Sequence, residues 1–184
     1  MFRILLFFLI LNFYNSVHAS INNEIILKLK QTKNLSFYFK QTINEKSENG
    51  NCVIKYPKKI YCEYKNKNKK IIVSNGKSLV IKNRNSGTSY LYPLNKTAHK
   101  ILLDKNYLNK KINTIKSKEI KNKYIHFKIS EKNNEINIFF DKKTLNLIGW
   151  QTEDIYNNLT ITFISLVKVN QKINDDIFIL PKID

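Results

Sequence analysis

Between Leu35 and Ile81 the chain alternates apolar and polar residues in short runs separated by turn residues. In Leu35 to Gln41, Leu35, Phe37 and Phe39 fall on one side and Ser36 and Lys40 on the other. Successive side chains of an extended strand point to opposite faces, so this spacing predicts a strand with one apolar face. The pattern recurs about Tyr56-Pro57-Lys58: Cys52, Ile54, Ile60, Cys62 and Tyr64 share a face opposite Lys55, Lys59 and Glu63, with Val53 and Tyr61 as exceptions. A further hairpin turns at Asn75-Gly76, a favoured turn dipeptide, between residues 70–73 and 78–82. A sheet with one apolar face must have that face covered. Either helices fill the space, or part of it is left for a ligand.

The rest of the chain supplies few covering elements. Ile21 to Lys33 predicts an amphipathic helix with Ile21, Ile25, Ile26 and Leu29 on one side, capped by Asn22 or Asn23. Thr97 to Leu103 predicts a short helix, capped by Thr97, with Ala98, Ile101 and Leu102 apolar. The Lys-rich stretch from Asp104 to Lys123 is the most polar region and suits a long loop. Strands are expected at Thr88 to Tyr92, Ile112 to Ile120, Tyr124 to Ile129, Glu135 to Phe140, Leu147 to Glu153 and Leu159 to Val167. In the last of these Leu159, Ile161 and Phe163 alternate with Thr160 and Thr162. A turn at Asn157-Asn158 precedes it, and Ile177 to Leu180 forms a final strand. Short strands in hairpin order with two or three helices predict one large, curled antiparallel sheet, mainly β with helices.

The first 19 residues have the form of a secretory signal peptide: Arg3, an apolar run from Ile4 to Leu11, and Val17-His18-Ala19 before the cut. The apolar run is short for a membrane anchor, which needs roughly 20 apolar residues. The mature domain is then 20–184, without a cysteine that could carry a lipid at its start. The net charge is +18, and of 32 basic residues all but Arg3 and Arg84 are lysine. Nucleic acid is a poor partner for an exported chain with so little arginine, the residue whose planar fork suits phosphates and bases. The lysines are either solvated surface or a lipid-facing attraction. Cys52 and Cys62 stand opposite each other if the chain turns about Pro57. That leaves a disulfide, permitted by an oxidising compartment, or two buried thiols.

Sequence motifs for catalysis are lacking. No nucleophile elbow, zinc-binding His-Glu-x-x-His or Gly-rich phosphate loop occurs. Glu153 and Asp154 are adjacent carboxylates on opposite strand faces. His99 is expected on a helix surface. The chain is expected to be no enzyme and to need no cofactor or metal, whereas its apolar capacity suits either an ordinary core or a cavity.

Several segments in order resemble the periplasmic lipoprotein carrier family LolA. After a helix comes a strand ending Phe39-Lys40-Gln41. A Gly-led strand from Gly50 runs to Lys55-Tyr56-Pro57, and an aromatic return strand ends at Tyr64. Next come Val73-Ser74-Asn75-Gly76-Lys77-Ser78-Leu79 and the helix from Thr97 to Leu103. Leu147-Ile148-Gly149-Trp150, with Asp154 beyond, and Phe178-Ile179-Leu180-Pro181 complete the series. The resemblance implies an unclosed antiparallel β-barrel of about 10–11 strands, lidded by short helices over an apolar concave face. It also implies a periplasmic, monomeric chaperone. Such a chaperone takes acylated lipoproteins from an inner-membrane ABC transporter to an outer-membrane lipoprotein receptor. One position departs: the family's arginine before the turn proline, which ties barrel to lid, is Tyr56 here, and Ala98 replaces a proline at the lid's start.

An acyl chain of about fifteen methylenes gains roughly 12 kcal/mol on leaving water, so a carrier must offer comparable apolar surface and later give the chain up. The expected lining of that surface is Leu35, Phe37, Phe39, Ile54, Ile60, Tyr64, Leu79, Ile81, Ile138, Phe140, Trp150, Ile161 and Phe163. The expected lid contacts are Tyr56, Ile101 and Leu102. Two other readings fit the same pattern. One is a carrier or sensor of another lipid or glycolipid. The other is a cationic periplasmic protein with a filled barrel that binds membrane surfaces.

Overall fold

The computed structural model describes residues 20–131, 134–153 and 158–183. The leader, Asp154 and Asn157 lie outside them. One antiparallel sheet of 11 strands dominates the described residues. Its spatial order is β6-β5-β4-β3-β2-β1-β11-β10-β9-β8-β7. The strands are β1 (Asn34–Ile43), β2 (Lys46–Lys55), β3 (Lys59–Tyr64), β4 (Lys70–Asn75), β5 (Ser78–Asn83), β6 (Ser89–Pro93), β7 (Lys118–Ile120), β8 (Tyr124–Glu131), β9 (Asn134–Asp141), β10 (Leu147–Glu153) and β11 (Leu159–Val169). The chain meanders outward from β1 to one edge at β6, crosses to the other edge at β7, and meanders back until β11 pairs with β1. The two edge strands are not paired with each other, so the barrel is unclosed.

Turn chemistry sets the registers. Asn44 and Glu45 both have positive φ, 45° and 67°, the backbone of a tight hairpin turn, so β2 begins at Lys46 rather than at Gly50. About Pro57 the chain pairs Lys55 with Lys59, Ile54 with Ile60 and Cys52 with Cys62. The Tyr56–Pro57 bond is cis. Cys52 and Cys62 are joined by a disulfide with Cα atoms 4.1 Å apart. Gly50 is required by its neighbours. A Cβ there would lie 2.1 Å from the Glu63 carbonyl oxygen and 2.8 Å from the Phe39 ring, which the bare glycine lets lie close to the sheet.

Three helices cover the concave face: α1 (Ile21–Gln31), α2 (His99–Leu103) and α3 (Lys105–Thr114). Ser20, not Asn22 or Asn23, caps α1, its hydroxyl accepting from the Asn23 N–H. Asn22 instead donates to the Ile112 and Ile115 carbonyls at 2.8 and 3.0 Å, joining the start of α1 to the end of α3. At the opposite end the Lys105 ammonium donates to the Thr32 and Lys30 carbonyls, at 2.9 and 3.2 Å. A cation at a helix C-terminus also complements the helix dipole.

Three expected elements are corrected. The region from Asp104 holds α3, not a long loop, and only Lys118–Ile120 of the expected 112–120 strand is extended. Leu108 and Ile112, four apart, form the helix's buried stripe beneath its lysines. The expected strand at Ile177 to Leu180 is replaced by a 3-10 turn over Asp175–Phe178. This turn packs on β3 and β4, and Ile71 and Val73 of β4 and Val80 of β5 are buried apart from the main core. The Lys55 and Lys59 ammonium groups hold Asp175 there, at 2.8 and 3.5 Å.

The lidded concave face

The alternation of β1 to β5 and β8 to β10 turns one apolar set inward. Leu35, Phe37, Phe39, Ile54, Ile60, Tyr64, Leu79, Ile138, Phe140 and Trp150 are buried in one cluster, and Ile81 packs partly buried against it. Edge-to-face aromatic pairs tie distant strands within this set. Ring centroids are 6.2 Å apart for Phe37 and Trp150 and 4.7 Å for Phe39 and Tyr64. Phe127, with no exposed surface, belongs to the same cluster and meets Phe140 edge to face at 5.9 Å. Its position in an alternating run, Ile125-His126-Phe127-Lys128-Ile129, carried the signal.

Phe163 and Ile161 do not belong to the cavity. On β11 the inward residues are Thr160, Thr162 and Ile164, whereas Phe163 is 61% exposed. Phe163 lies opposite Gly149 on the outer face. Threonine is β-branched and suits a strand interior, and a buried hydroxyl is tolerated where it has a partner. Here the Thr162 hydroxyl oxygen accepts from Gln41 Nε2 at 3.0 Å, so the inward phase of β11 is the more polar one.

α2 closes the cavity. Ile101, Leu102 and Leu103 are at most 1% exposed and join the inward cluster. One void left beneath it has about 10 Å³, the room of roughly one water molecule. Its wall includes Phe39, Ile60, Tyr64 and Trp150, the Cys52–Cys62 bridge, and three polar side chains, Gln41, Thr162 and His99. His99 is half-buried, with part of its ring on this void rather than wholly on the outer surface of the helix. Desolvation lowers its pKa below the ordinary 6.5, so its imidazole is held neutral. Thr97 does not cap the helix: its hydroxyl donates back to the Leu94 carbonyl at 2.9 Å.

The tie between barrel and lid is made two residues beyond the expected one. The Tyr56 hydroxyl is buried without a hydrogen-bond partner, and burial pushes its pKa up. Tyr56 packs its ring against the core and under the Lys105 ammonium, 5.4 Å from the ring centroid. It makes no hydrogen bond to a lid carbonyl. Lys58 does: its backbone N–H donates to the Leu103 carbonyl at 2.9 Å. Its ammonium lies 3.1 Å from Asp104, the residue that ends α2 and caps α3 by accepting from the Tyr107 N–H at 3.2 Å. On the other side Lys100 pairs with Glu131 at the end of β8, at 3.1 Å. The hydrogen bond from Lys100 is the main reason the Glu131 carboxyl sits below its ordinary pKa. Lys58 and Asp104 carried a weak sequence signal: a lysine just after the turn proline, and an Asp three residues before Tyr107 in the N-cap spacing.

Residues 30–181 match the model of the outer membrane lipoprotein carrier protein LolA family, and the chain belongs to that family. No curated protein matches it in sequence. An uncharacterized conserved protein from Thermus thermophilus shares the fold at 7% identity, with a TM-score of 0.52 over 88% of this chain and 93% of that one. A LolA superfamily protein from Nitrosomonas europaea aligns with a TM-score of 0.46 at 7% identity, over 87% of this chain and 98% of that one. The Pseudomonas aeruginosa MucA/MucB complex aligns at 0.46 and 7% identity, over 89% of this chain and 62% of that one.

Two outcomes test the lid. Asp104→Ala removes both the N-cap of α3 and the partner of Lys58. It should cost about 1–2 kcal/mol in urea unfolding, mostly from the cap because exposed ion pairs contribute little. It should also raise binding of an apolar fluorescent probe at neutral pH; an unchanged probe signal would place the closing interaction elsewhere. The second test is pH. The closed state excludes the proton that His99 binds when exposed, so closure is fully favoured above about pH 6.5 and weakens as pH falls below it. Glu131 stays ionised above pH 5, so its pair with Lys100 does not titrate in this window. Probe binding should rise between pH 7.5 and 5, and His99→Phe should flatten that rise. An identical rise in the variant would assign it to another group.

Proposed function

We propose that this chain is a periplasmic carrier that shields the acyl chains of lipoproteins in transit. On this reading it is exported by its leader, receives cargo from an inner-membrane ABC transporter and hands it to an outer-membrane receptor. The observation that carries the reading is the way the concave face is closed. A five-residue helix supplies the cover, and its Ile101, Leu102 and Leu103 occupy the apolar space. Burying three such side chains stabilises closure by roughly 5–9 kcal/mol, at about 1.5–3 kcal/mol each. An acyl chain of about fifteen methylenes gains roughly 12 kcal/mol in the same environment. The two are close enough for cargo to displace the lid and for the lid to help expel cargo.

The ties that hold the lid are suited to exchange. Lys58 to Asp104 and Lys100 to Glu131 are partly exposed ion pairs, worth about 0–1 kcal/mol each. No helix among the described residues is long and apolar enough to cross a membrane. Membership of a lipoprotein-carrier family supports the cargo class.

Salt separates acyl burial from attraction of the lysine-rich surface to lipid headgroups. A diacylated lipopeptide mixed with the protein should co-elute in gel filtration at 0.1 M and at 1 M salt, while its deacylated form elutes alone. Loss of the complex at 1 M salt would identify the interaction as surface binding, because exposed charges are screened within about 3 Å there.

A further inference from the structure

The apolar cavity contains a short polar chain on its sheet wall. The Tyr64 hydroxyl donates to Gln41 Oε1 at 3.0 Å, and Gln41 Nε2 donates to Thr162 Oγ1 at 3.0 Å. Tyr64 and Thr162 are 6% and 2% exposed, and all three residues line the void. A polar group in an apolar wall is costly unless it is hydrogen-bonded, and this chain is only partly saturated. Gln41 keeps a second amide hydrogen and Thr162 its hydroxyl hydrogen. Neither donates to any other described residue. Exchanging the amide's O and N would move the spare hydroxyl hydrogen from Thr162 to Tyr64 and leave two spare donors. The oxygens of this polar chain are already engaged within it, and in the closed state the neutral His99 imidazole brings one further acceptor nitrogen to the void.

A wall with spare donors matches a ligand group that only accepts. We propose that Gln41 and Thr162 form a subsite for the ester carbonyl of an O-acyl lipid, which has two lone pairs and no donor. This rests on the carrier reading and adds which end of the cargo the cavity recognises. Phe39, Ile60 and Trp150 line the void beside the polar chain. The hydrocarbon then lies along them with its carbonyl fixed at Gln41 and Thr162. His99, on the lid, lines the same void and leaves with α2 when cargo enters, so the sheet-borne donors alone face the ester.

The experiment compares two probes on the full mature protein. One is a short peptide carrying a diacylglyceryl group through ester bonds; the other carries dialkyl ether chains of equal length. The wild type should bind the ester about five- to tenfold more tightly, the worth of one or two neutral hydrogen bonds. Thr162→Val, which keeps the side-chain volume, and Gln41→Leu should lower ester affinity to that of the ether and leave the ether's unchanged. Equal wild-type affinities for the two probes would overturn the subsite while leaving the carrier reading intact. So would an equal loss for both probes in either variant. Failure of the wild type to bind either probe would overturn the carrier reading itself, and the subsite with it.

Discussion

A curled sheet whose concave face is mostly apolar cannot stand open in water, and the covering helices answer that constraint. Strands β1 to β5 and β8 to β10 commit most of their inward positions to Ile, Leu, Phe, Tyr and Trp. Because the barrel is unclosed, the sheet alone does not enclose these side chains. Three short helices supply the cover instead. Two of them, α1 and α3, are bound to each other by Asn22 and Lys105 through backbone carbonyls. The third, α2, is held mainly by its three residues buried in the cavity, and its ties to the sheet at the surface are partly exposed ion pairs and one backbone hydrogen bond. The cover thus divides into two helices tied to each other and one short helix set into the cavity.

The fastening of that helix has moved relative to the family pattern. An arginine before the turn proline can hold lid carbonyls with a charged fork. Tyr56 at this position is buried with its hydroxyl unpaired, which costs the closed state about 1–3 kcal/mol. Lys58 takes over part of the task, with its backbone N–H on the Leu103 carbonyl and its ammonium on Asp104. Since Asp104 also caps α3, the fastening couples the short helix to the tied pair. A residue that ends one helix and begins the next can transmit displacement of α2 to α3.

Much of this was legible in the alternation of β1 to β5, because there apolar residues face one way and charged ones the other. Register about Pro57 followed from symmetry of the sequence around the turn. β11 was misleading for a physical reason: its most hydrophobic phase, Leu159, Ile161 and Phe163, faces outward. Its inward phase holds Thr162, which is acceptable there because Gln41 supplies a hydrogen-bond partner 121 residues away. No local pattern reveals such a partner. α3 was hidden by composition, since lysine and asparagine crowd Lys105 to Thr114 and leave Leu108 and Ile112 as its only buried apolar residues. His99 was misplaced because burial of an imidazole depends on where the helix sits, not on its neighbours in sequence.

The central claim is that the concave face holds acyl chains when the lid gives way. The most direct measurement is native mass spectrometry of the protein taken without detergent from the periplasm of its own cells. The account predicts a population carrying acylated lipoprotein at one cargo per chain, released when organic solvent disrupts apolar contacts. Protein recovered bare from cells that are actively making lipoproteins, or charged only with a non-acylated partner, would contradict it.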